Sequence, residues 1–265
     1  MKAMILAAGL GTRLRPLTNY RPKALVEING RTLLEVTIKR LADFGVREFI
    51  VNVHHFVEMI VDYLKQKKNF GLRVEVSRED DLLLDTGGGL KKAAWFFAEN
   101  TASKTGSDHD EPFLLHNVDV ISNIDFPEML RFHAAQRALA TLAVQARESS
   151  RQLLFDGELQ LRGRSINGQD TTIAAEGRTG QSARDPSAAP LLPLAFSGIH
   201  VLSPRIFPLL TETGVFSIID SYIRLAGQHE RVLAFRHDGS YWRDLGRPAD
   251  LAQAASDLRE NAARS

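Results

Sequence analysis

Along the chain, the first apolar residues form an unbroken run, Met4 to Ala8, which predicts a strand buried on both faces. Leu34, Ile38 and Leu41 then recur at helical spacing within Thr32 to Phe44, and Gly45 supplies the stop. Glu48 to Val53 is a second apolar run, Val57 to Lys67 a second amphipathic helix, and Leu72 to Ser77 an alternating strand. A helix is predicted from the Thr86-Gly87-Gly88-Gly89 stretch to Asn100, and a polar loop from Thr101 to Glu111. Pro112 to Ile121 reads as one apolar strand, Pro127 to Ala138 as a helix and Leu139 to Ala146 as a strand. Arg151 to Arg162 forms two short alternating runs about Asp156-Gly157, a hairpin signal. Hydrophobicity collapses from Gly163 to Pro190, which predicts a long loop. Leu194 to Ser203 is a strand, Ser217 to Gly227 a helix, and Pro248 to Ala263 a terminal helix. Arg231 to Phe235 and Tyr241 to Arg243 are expected to form a hairpin through Asp238-Gly239.

Strands alternating with helices at this pace indicate an α/β fold with crossover helices and a mostly parallel sheet. At 265 residues the chain suits one large domain. Apolar content of 44% and charged content of 25% are those of an ordinary globular protein. A net charge of +1 gives no reason to expect nucleic acid or an anionic membrane as partner. The absence of cysteine excludes disulfides, thiolate metal sites and cysteine nucleophiles, and fits a cytoplasmic location. No signal peptide or membrane-spanning stretch is expected.

Chemistry concentrates in the opening stretch. Gly9 and Gly11 follow the first strand, and Arg13, Arg15, Arg21 and Lys23 follow them with no acid before Glu27. Open backbone N–H groups beside clustered cations suit a polyphosphate. The loop is not a Walker loop, since no Gly-Lys-Ser/Thr is present. A dinucleotide fingerprint lacks its third glycine here, and Pro16 interrupts it. Asn52 and His54-His55 stand where such a fold would place an acid for the ribose, which weakens an NAD-linked reading.

The string Gly9-Leu-Gly11-Thr12-Arg13-Leu14-Arg15-Pro16-Leu17-Thr18, followed by Pro22-Lys23-Ala24-Leu25, resembles the signature of sugar-1-phosphate nucleotidylyltransferases. Asn117-Val118-Asp119 is similar to that family's Asn-Gly-Asp, with valine for glycine, and Trp242-Arg243-Asp244-Leu245-Gly246-Arg247-Pro248 resembles its Trp-x-Asp-x-Gly-x-Pro element. The resemblance implies a Rossmann-like mixed sheet flanked by helices, the nucleotide-diphospho-sugar transferase fold. It would divide into a nucleotide half to about residue 125 and a sugar half to about residue 250. It also implies transfer of a nucleotidyl group from an NTP, UTP or GTP, to a sugar 1-phosphate. Asp119 and Asp244 would hold Mg²⁺, and Arg13 and Lys23 would act on the phosphates. Leu6, Ala8 and Gly9 would contact the nucleoside through their backbone, with Gly11 and Thr12 in the same turn. Thr86, Gly88 and Gly89 would form the second nucleotide loop, Asn117 would line the site and Gly198 would face the sugar. The family's Glu-Lys-Pro for the sugar phosphate is missing, and Glu176-Gly177-Arg178 is a weak substitute. A non-catalytic nucleotide-sugar sensor on the same fold is the competing reading. The compact length is similar to the muramate-1-phosphate uridylyltransferase and mannose-1-phosphate guanylyltransferase branches.

Overall fold

The structure, a computed structural model, describes residues 1–98, 111–173 and 190–264. In chain order its elements are β1 (Lys2–Leu6), β2 (Glu27–Ile28), β3 (Arg31–Thr32), α1 (Leu33–Asp43), β4 (Glu48–Val53), α2 (Val57–Gln66) and β5 (Arg73–Arg78). Then follow α3 (Asp85–Lys92), α4 (Ala94–Ala98), β6 (Phe113–Asn117), β7 (Val120–Ser122), α5 (Phe126–Ala135) and β8 (Ala140–Gln145). The chain continues with β9 (Arg151–Phe155), β10 (Leu161–Ile166), β11 (Gln169–Thr172), β12 (Leu192–Leu202), α6 (Ile218–Gly227), β13 (Val232–Arg236), β14 (Trp242–Asp244) and α7 (Pro248–Arg264).

One mixed sheet runs through both halves of the chain in the order β11-β10-β9-β12-β6-β1-β4-β5, with β8 beside β12 and β13 beside β8. The strands β6, β1, β4 and β5 are parallel, so their carboxyl ends share one edge, where ligands collect in open α/β sheets. Antiparallel β12 joins this block to β8 and β9. Alternation along the strands serves two cores. Ala3, Ile5, Phe49 and Val51 pack beneath α1, α2 and α5, whereas Met4 and Ile50 pack with Leu90, Phe96 and Tyr222 on the opposite face. Thr32 caps α1 by accepting from the Glu35 N–H at 3.1 Å, and Asp125 caps α5 through Glu128 N–H at 2.8 Å.

Three expectations are corrected. The run from Pro112 to Ile121 is two strands, because the chain turns at Val118-Asp119 and sends β7 out of the main sheet. The segments about Asp238-Gly239 are not a hairpin: β13 pairs in parallel with β8, and β14 pairs with β7. The polar stretch after Gly163 begins as a hairpin, with β10 and β11 paired antiparallel across Asn167-Gly168. The loop expected from Thr101 to Glu111 lies almost wholly outside the described residues, as does the loop beyond Ile173.

Several core positions carry histidine. His200 bonds Tyr222 Oη at 2.8 Å and His133 bonds Thr141 Oγ1 at 2.9 Å, while His116 and His237 are also buried. Burial pushes His116, His133 and His237 down to about 4 and His200 to about 3, from 6.5. These residues therefore fold neutral, and the unfolded chain binds more protons than the folded one between pH 6.5 and about 4. Stability from this source is present above pH 6.5 and is lost as pH falls through that window, by up to about 1.4 kcal/mol per pH unit for each histidine. Calorimetry at pH 5.5 in buffers of different ionisation heat should therefore record proton uptake on unfolding. Equal protonation of the two states there would contradict the assignment.

Candidate active site

The opening strand ends at the mouth of a cavity of about 350 Å³, walled by Leu6, Ala7, Ala8, Gly9, Lys23, Asn52, Leu83, Asp85, Thr86, Asn117, Val118, Asp119 and Val215. Its walls are thus the carboxyl ends of β1, β4 and β6 together with the start of α3. Gly9 has open space where a side chain would be, which leaves the backbone accessible. Gly11 adopts a left-handed conformation, φ 64° and ψ 25°, and a Cβ there would come within 2.9 Å of Thr18 and 3.1 Å of Lys23. Thr18 Oγ1 also donates to Gly11 O at 2.8 Å. The turn after β1 is thereby locked to the segment that delivers Lys23.

Lys23 is buried, and its ammonium pairs with Asp119 Oδ2. Asp119 sits in the turn between β6 and β7. The short ribbon of β7 and β14 pairs Val120 with Asp244, and Leu245 N–H donates to Asp119 O at 2.8 Å. Asp119 and Asp244, distant in sequence, therefore stand at neighbouring positions. Asp244 Oδ1 accepts from Gly246 N–H at 2.6 Å. A Cβ on Gly246 would lie 2.6 Å from Arg13 Nη2 and 2.7 Å from Asp244 Oδ1, so the Arg13 guanidinium comes up to the same spot. Lys23 on Asp119, and Arg13 close to Asp244, are thus joined through the backbone of one short ribbon. Among the described residues no set of three or more His, Asp or Glu could hold a metal.

A buried chain of hydrogen bonds sets the width of the cavity. Ala7 N–H donates to Asn52 Oδ1 at 2.8 Å, Asn52 Nδ2 donates to Glu79 Oε1 at 2.8 Å, and Leu84 N–H donates to Glu79 Oε2 at 2.9 Å. The amide at position 52 thus ties β1 to the loop before α3. The glycines of α3 serve packing. Side chains at Gly87, Gly88 and Gly89 would meet the Phe216 ring, Gly214 O and the Asn52–Glu79 pair respectively, and the N–H groups of Gly87 and Gly88 both point to Phe216 O. Thr86 Oγ1 accepts from Ile218 N–H at 3.0 Å.

Of the residues expected from sequence, Leu6, Ala8, Gly9, Lys23, Thr86, Asn117 and Asp119 line the cavity. Arg13, Asp244, Gly11, Thr12, Gly88, Gly89 and Gly198 are not part of its lining. Gly198 has φ 73°, and a Cβ there would come within 2.7 Å of Asn117 Nδ2. Glu176, Gly177 and Arg178 lie outside the described residues. Ala7, Asn52, Leu83, Asp85, Val118 and Val215 complete the wall without having been singled out as ligand contacts. The first five adjoin motif residues or strand ends and could have been found that way. Val215 sits in a loop that carries no such signal.

Comparison with known proteins bears on the family and the fold. A nucleotidyl transferase family model matches residues 2–153. The N-acetylmuramate alpha-1-phosphate uridylyltransferase of Caulobacter vibrioides is 32% identical over 260 residues, with 97% of each chain covered. A mannose-1-phosphate guanyltransferase of Candida albicans is 30% identical over 95% of this chain, which spans 62% of that protein. A solved structure of a putative glucose-1-phosphate thymidylyltransferase from Bacillus anthracis shares the fold, with a TM-score of 0.74 at 16% identity over 98% of this chain and 95% of that one.

Two glycine substitutions separate wall from packing. Gly87→Ala, which drives a methyl into Phe216, should cost about 1–3 kcal/mol in denaturant unfolding. Gly9→Ala should change stability by no more than about 0.5 kcal/mol while weakening nucleotide binding. Equal stabilities for the two variants would contradict these assignments.

Proposed function

This chain belongs to the nucleotidyl transferase family, and we propose that it transfers a nucleotidyl group from an NTP to a sugar 1-phosphate with release of pyrophosphate. The observation that supports this reading is the backbone pairing that sets Asp244 beside the turn bearing Asp119, with Lys23 on Asp119 and Arg13 close to Asp244, where Lys23 and Asp119 wall a cavity at the end of β1. The relatives' names support UTP or GTP as donor and N-acetylmuramate 1-phosphate or mannose 1-phosphate as acceptor. No helix among the described residues is long and apolar enough to cross a membrane, and the protein is read as one cytoplasmic domain.

Both substrates are anions, so the protein's task is neutralisation and alignment. A sugar 1-phosphate with a second pKa of about 6 already presents an ionised oxygen near pH 7, and no general base is needed. That oxygen attacks the α-phosphorus in line, and pyrophosphate departs opposite. Lys23, already held by Asp119, offsets charge at the α-phosphate, and Arg13 offsets charge on the leaving β- and γ-phosphates. Leu6, Ala8 and Gly9 present backbone to the nucleoside, and Thr86 bounds it from the second loop.

The donor set fits Mg²⁺, a hard cation commonly held by one or two carboxylates with phosphate oxygens and water completing the shell. Asp119 and Asp244 would hold it, each having one carboxylate oxygen without a hydrogen-bond partner among the described residues. When bound, it would neutralise phosphate charge and orient the reacting oxygens. A non-catalytic sensor would have no use for two carboxylates beside this turn.

Pyrophosphate release measured with each NTP against several sugar 1-phosphates tests the reading, and chelation by EDTA should abolish it. Asp119→Asn should lower kcat by about a hundredfold or more with the circular dichroism spectrum unchanged. A folded Asp119→Asn enzyme with wild-type turnover would remove the metal assignment.

A further inference from the structure

Beside the carboxylates stands a cation that the proposed mechanism does not use. Trp242 and Asp244 alternate to the same face of β14, whereas Arg243 turns to the other face and pairs with Asp257 at 3.2 Å. Against the Trp242 ring, with Cζ 3.9 Å from its centroid, lies the guanidinium of Arg147, which follows β8. Both side chains are held by a bulge in β12. The register with β8 moves from Val144 opposite Phe196 to Leu142 opposite His200, so extra residues of β12, Gly198 among them, leave the ladder. This frees two carbonyls. Phe196 O accepts from Arg147 Nη2 at 2.9 Å, and Ser197 O accepts from Trp242 Nε1 at 2.8 Å. The next residue, Gly198, abuts Asn117 of the cavity wall. Arg147, Trp242 and the bulge therefore form one surface running from the nucleotide cavity to Asp244.

This surface is incomplete as a set of polar contacts. Arg147 makes no ion pair among the described residues, and its Nε is buried without a partner. On the other side of the bulge His237 bonds Ser197 Oγ at 2.8 Å and leaves Nδ1 buried and unpartnered. Burial pulls the Arg147 pKa down, and Asp244 opposes that shift. Asp244 therefore acts on Arg147 only across a gap, and a half-buried cation without a direct ion pair is costly unless a ligand supplies one. A guanidinium held against an indole and fixed by a backbone carbonyl is also pre-organised for an oxyanion.

We infer that Arg147, backed by Trp242, binds an oxyanion of the acceptor sugar 1-phosphate, and so sets which acceptors the enzyme takes. The inference rests on the transferase reading above. The oxyanion has two possible sources, the acceptor's phosphate and a carboxylate on its sugar. N-acetylmuramate 1-phosphate carries both groups and mannose 1-phosphate carries only the phosphate, so the pair tells them apart.

The test compares wild type, Arg147→Met and Arg147→Lys with these two acceptors. It measures steady-state pyrophosphate release, and calorimetric binding of each sugar 1-phosphate, which needs no turnover. Arg147→Met should raise the acceptor KM and Kd by about tenfold or more, and leave the NTP KM within about twofold. Arg147→Lys, which keeps charge but loses the planar fork, should fall between. A loss shared by both sugars assigns Arg147 to the phosphate, and a loss confined to N-acetylmuramate 1-phosphate assigns it to the carboxylate. Acceptor KM and Kd within about twofold of wild type for both sugars, or an equal rise in the NTP KM, would overturn the inference. Should Arg147→Met not fold, Arg147→Lys decides, and unchanged acceptor binding in that variant overturns it as well. A wild-type protein that binds sugar 1-phosphate through Arg147 yet releases no pyrophosphate would sink the transferase reading alone.

Discussion

The pairing of Val120–Ser122 with Trp242–Asp244 is the constraint on which the active centre depends. It is a ribbon of three residues a side, standing apart from the main sheet, and two such strands alone are at best marginally stable in water. Its surroundings hold it. Trp242 Nε1 bonds Ser197 O on one face, and Arg243 reaches Asp257 of α7 on the other. At one end Tyr241 N–H donates to Asn123 Oδ1 at 2.7 Å, and at the other Leu245 N–H donates to Asp119 O. Backbone pairing of this kind sets directly opposed Cα atoms about 5 Å apart, which fixes the turn bearing Asp119 beside the strand that carries Asp244. Lys23 pairs with Asp119, and Arg13 comes close to Asp244. Each of the two acids thus has beside it a cation that would act on phosphates.

The cavity needs a second kind of rigidity. The two loops that wall the cavity come from different βα units, and a drift between them would alter its shape at once. The chain Ala7–Asn52–Glu79–Leu84 prevents it with short hydrogen bonds in a nearly dry setting, with Asn52 2% and Glu79 1% exposed. An acid at position 52 would put two carboxylates in contact there and would leave Ala7 N–H facing a group already committed to repulsion. An amide both accepts and donates, which is why the position that first argues against a dinucleotide site turns out to be a strut.

Much of the frame is legible in the sequence because it obeys local rules. Glu48–Val53 is a strand at the residues its apolar run marks, and Leu34, Ile38 and Leu41 place α1 correctly between Thr32 and Gly45. What failed was pairing over long distance. Nothing local tells Trp242–Asp244 to leave β13 and join β7, since a three-residue strand has too few side chains to declare a face. The β10–β11 hairpin was hidden for another reason. Its outer strand, Gln169–Thr172, is polar and solvent-exposed, so the hydrophobic signal vanished although Asn167-Gly168 marks the turn. Within the site, Asp119, Asp244 and Lys23 were readable from motifs. Their backing was not: the three glycines of α3 look like a ligand-facing loop, but Gly87 and Gly88 are shaped by Phe216 and Gly214 from the distant loop before α6, and Gly89 by the Asn52–Glu79 pair.

Charge distribution explains how a chain with a net charge of only +1 can draw in polyanions. Several surface arginines elsewhere are neutralised locally, as in Arg73–Glu48 at 2.8 Å, Arg164–Asp220 at 2.5 Å and Arg224–Glu212 at 2.8 Å. Such pairs contribute little to stability when exposed, but they remove positive potential from their neighbourhood. In the opening turn Arg13, Arg15 and Arg21 are exposed, and none makes an ion pair among the described residues. The net charge therefore understates the positive potential of the opening turn, where Arg15 and Arg21 have no ion pair among the described residues. A field concentrated there speeds encounter with a charged ligand in a way that weakens as salt screens it. Phosphate attraction in this fold thus depends less on how many cations the chain carries than on which of them the rest of the surface leaves unpaired.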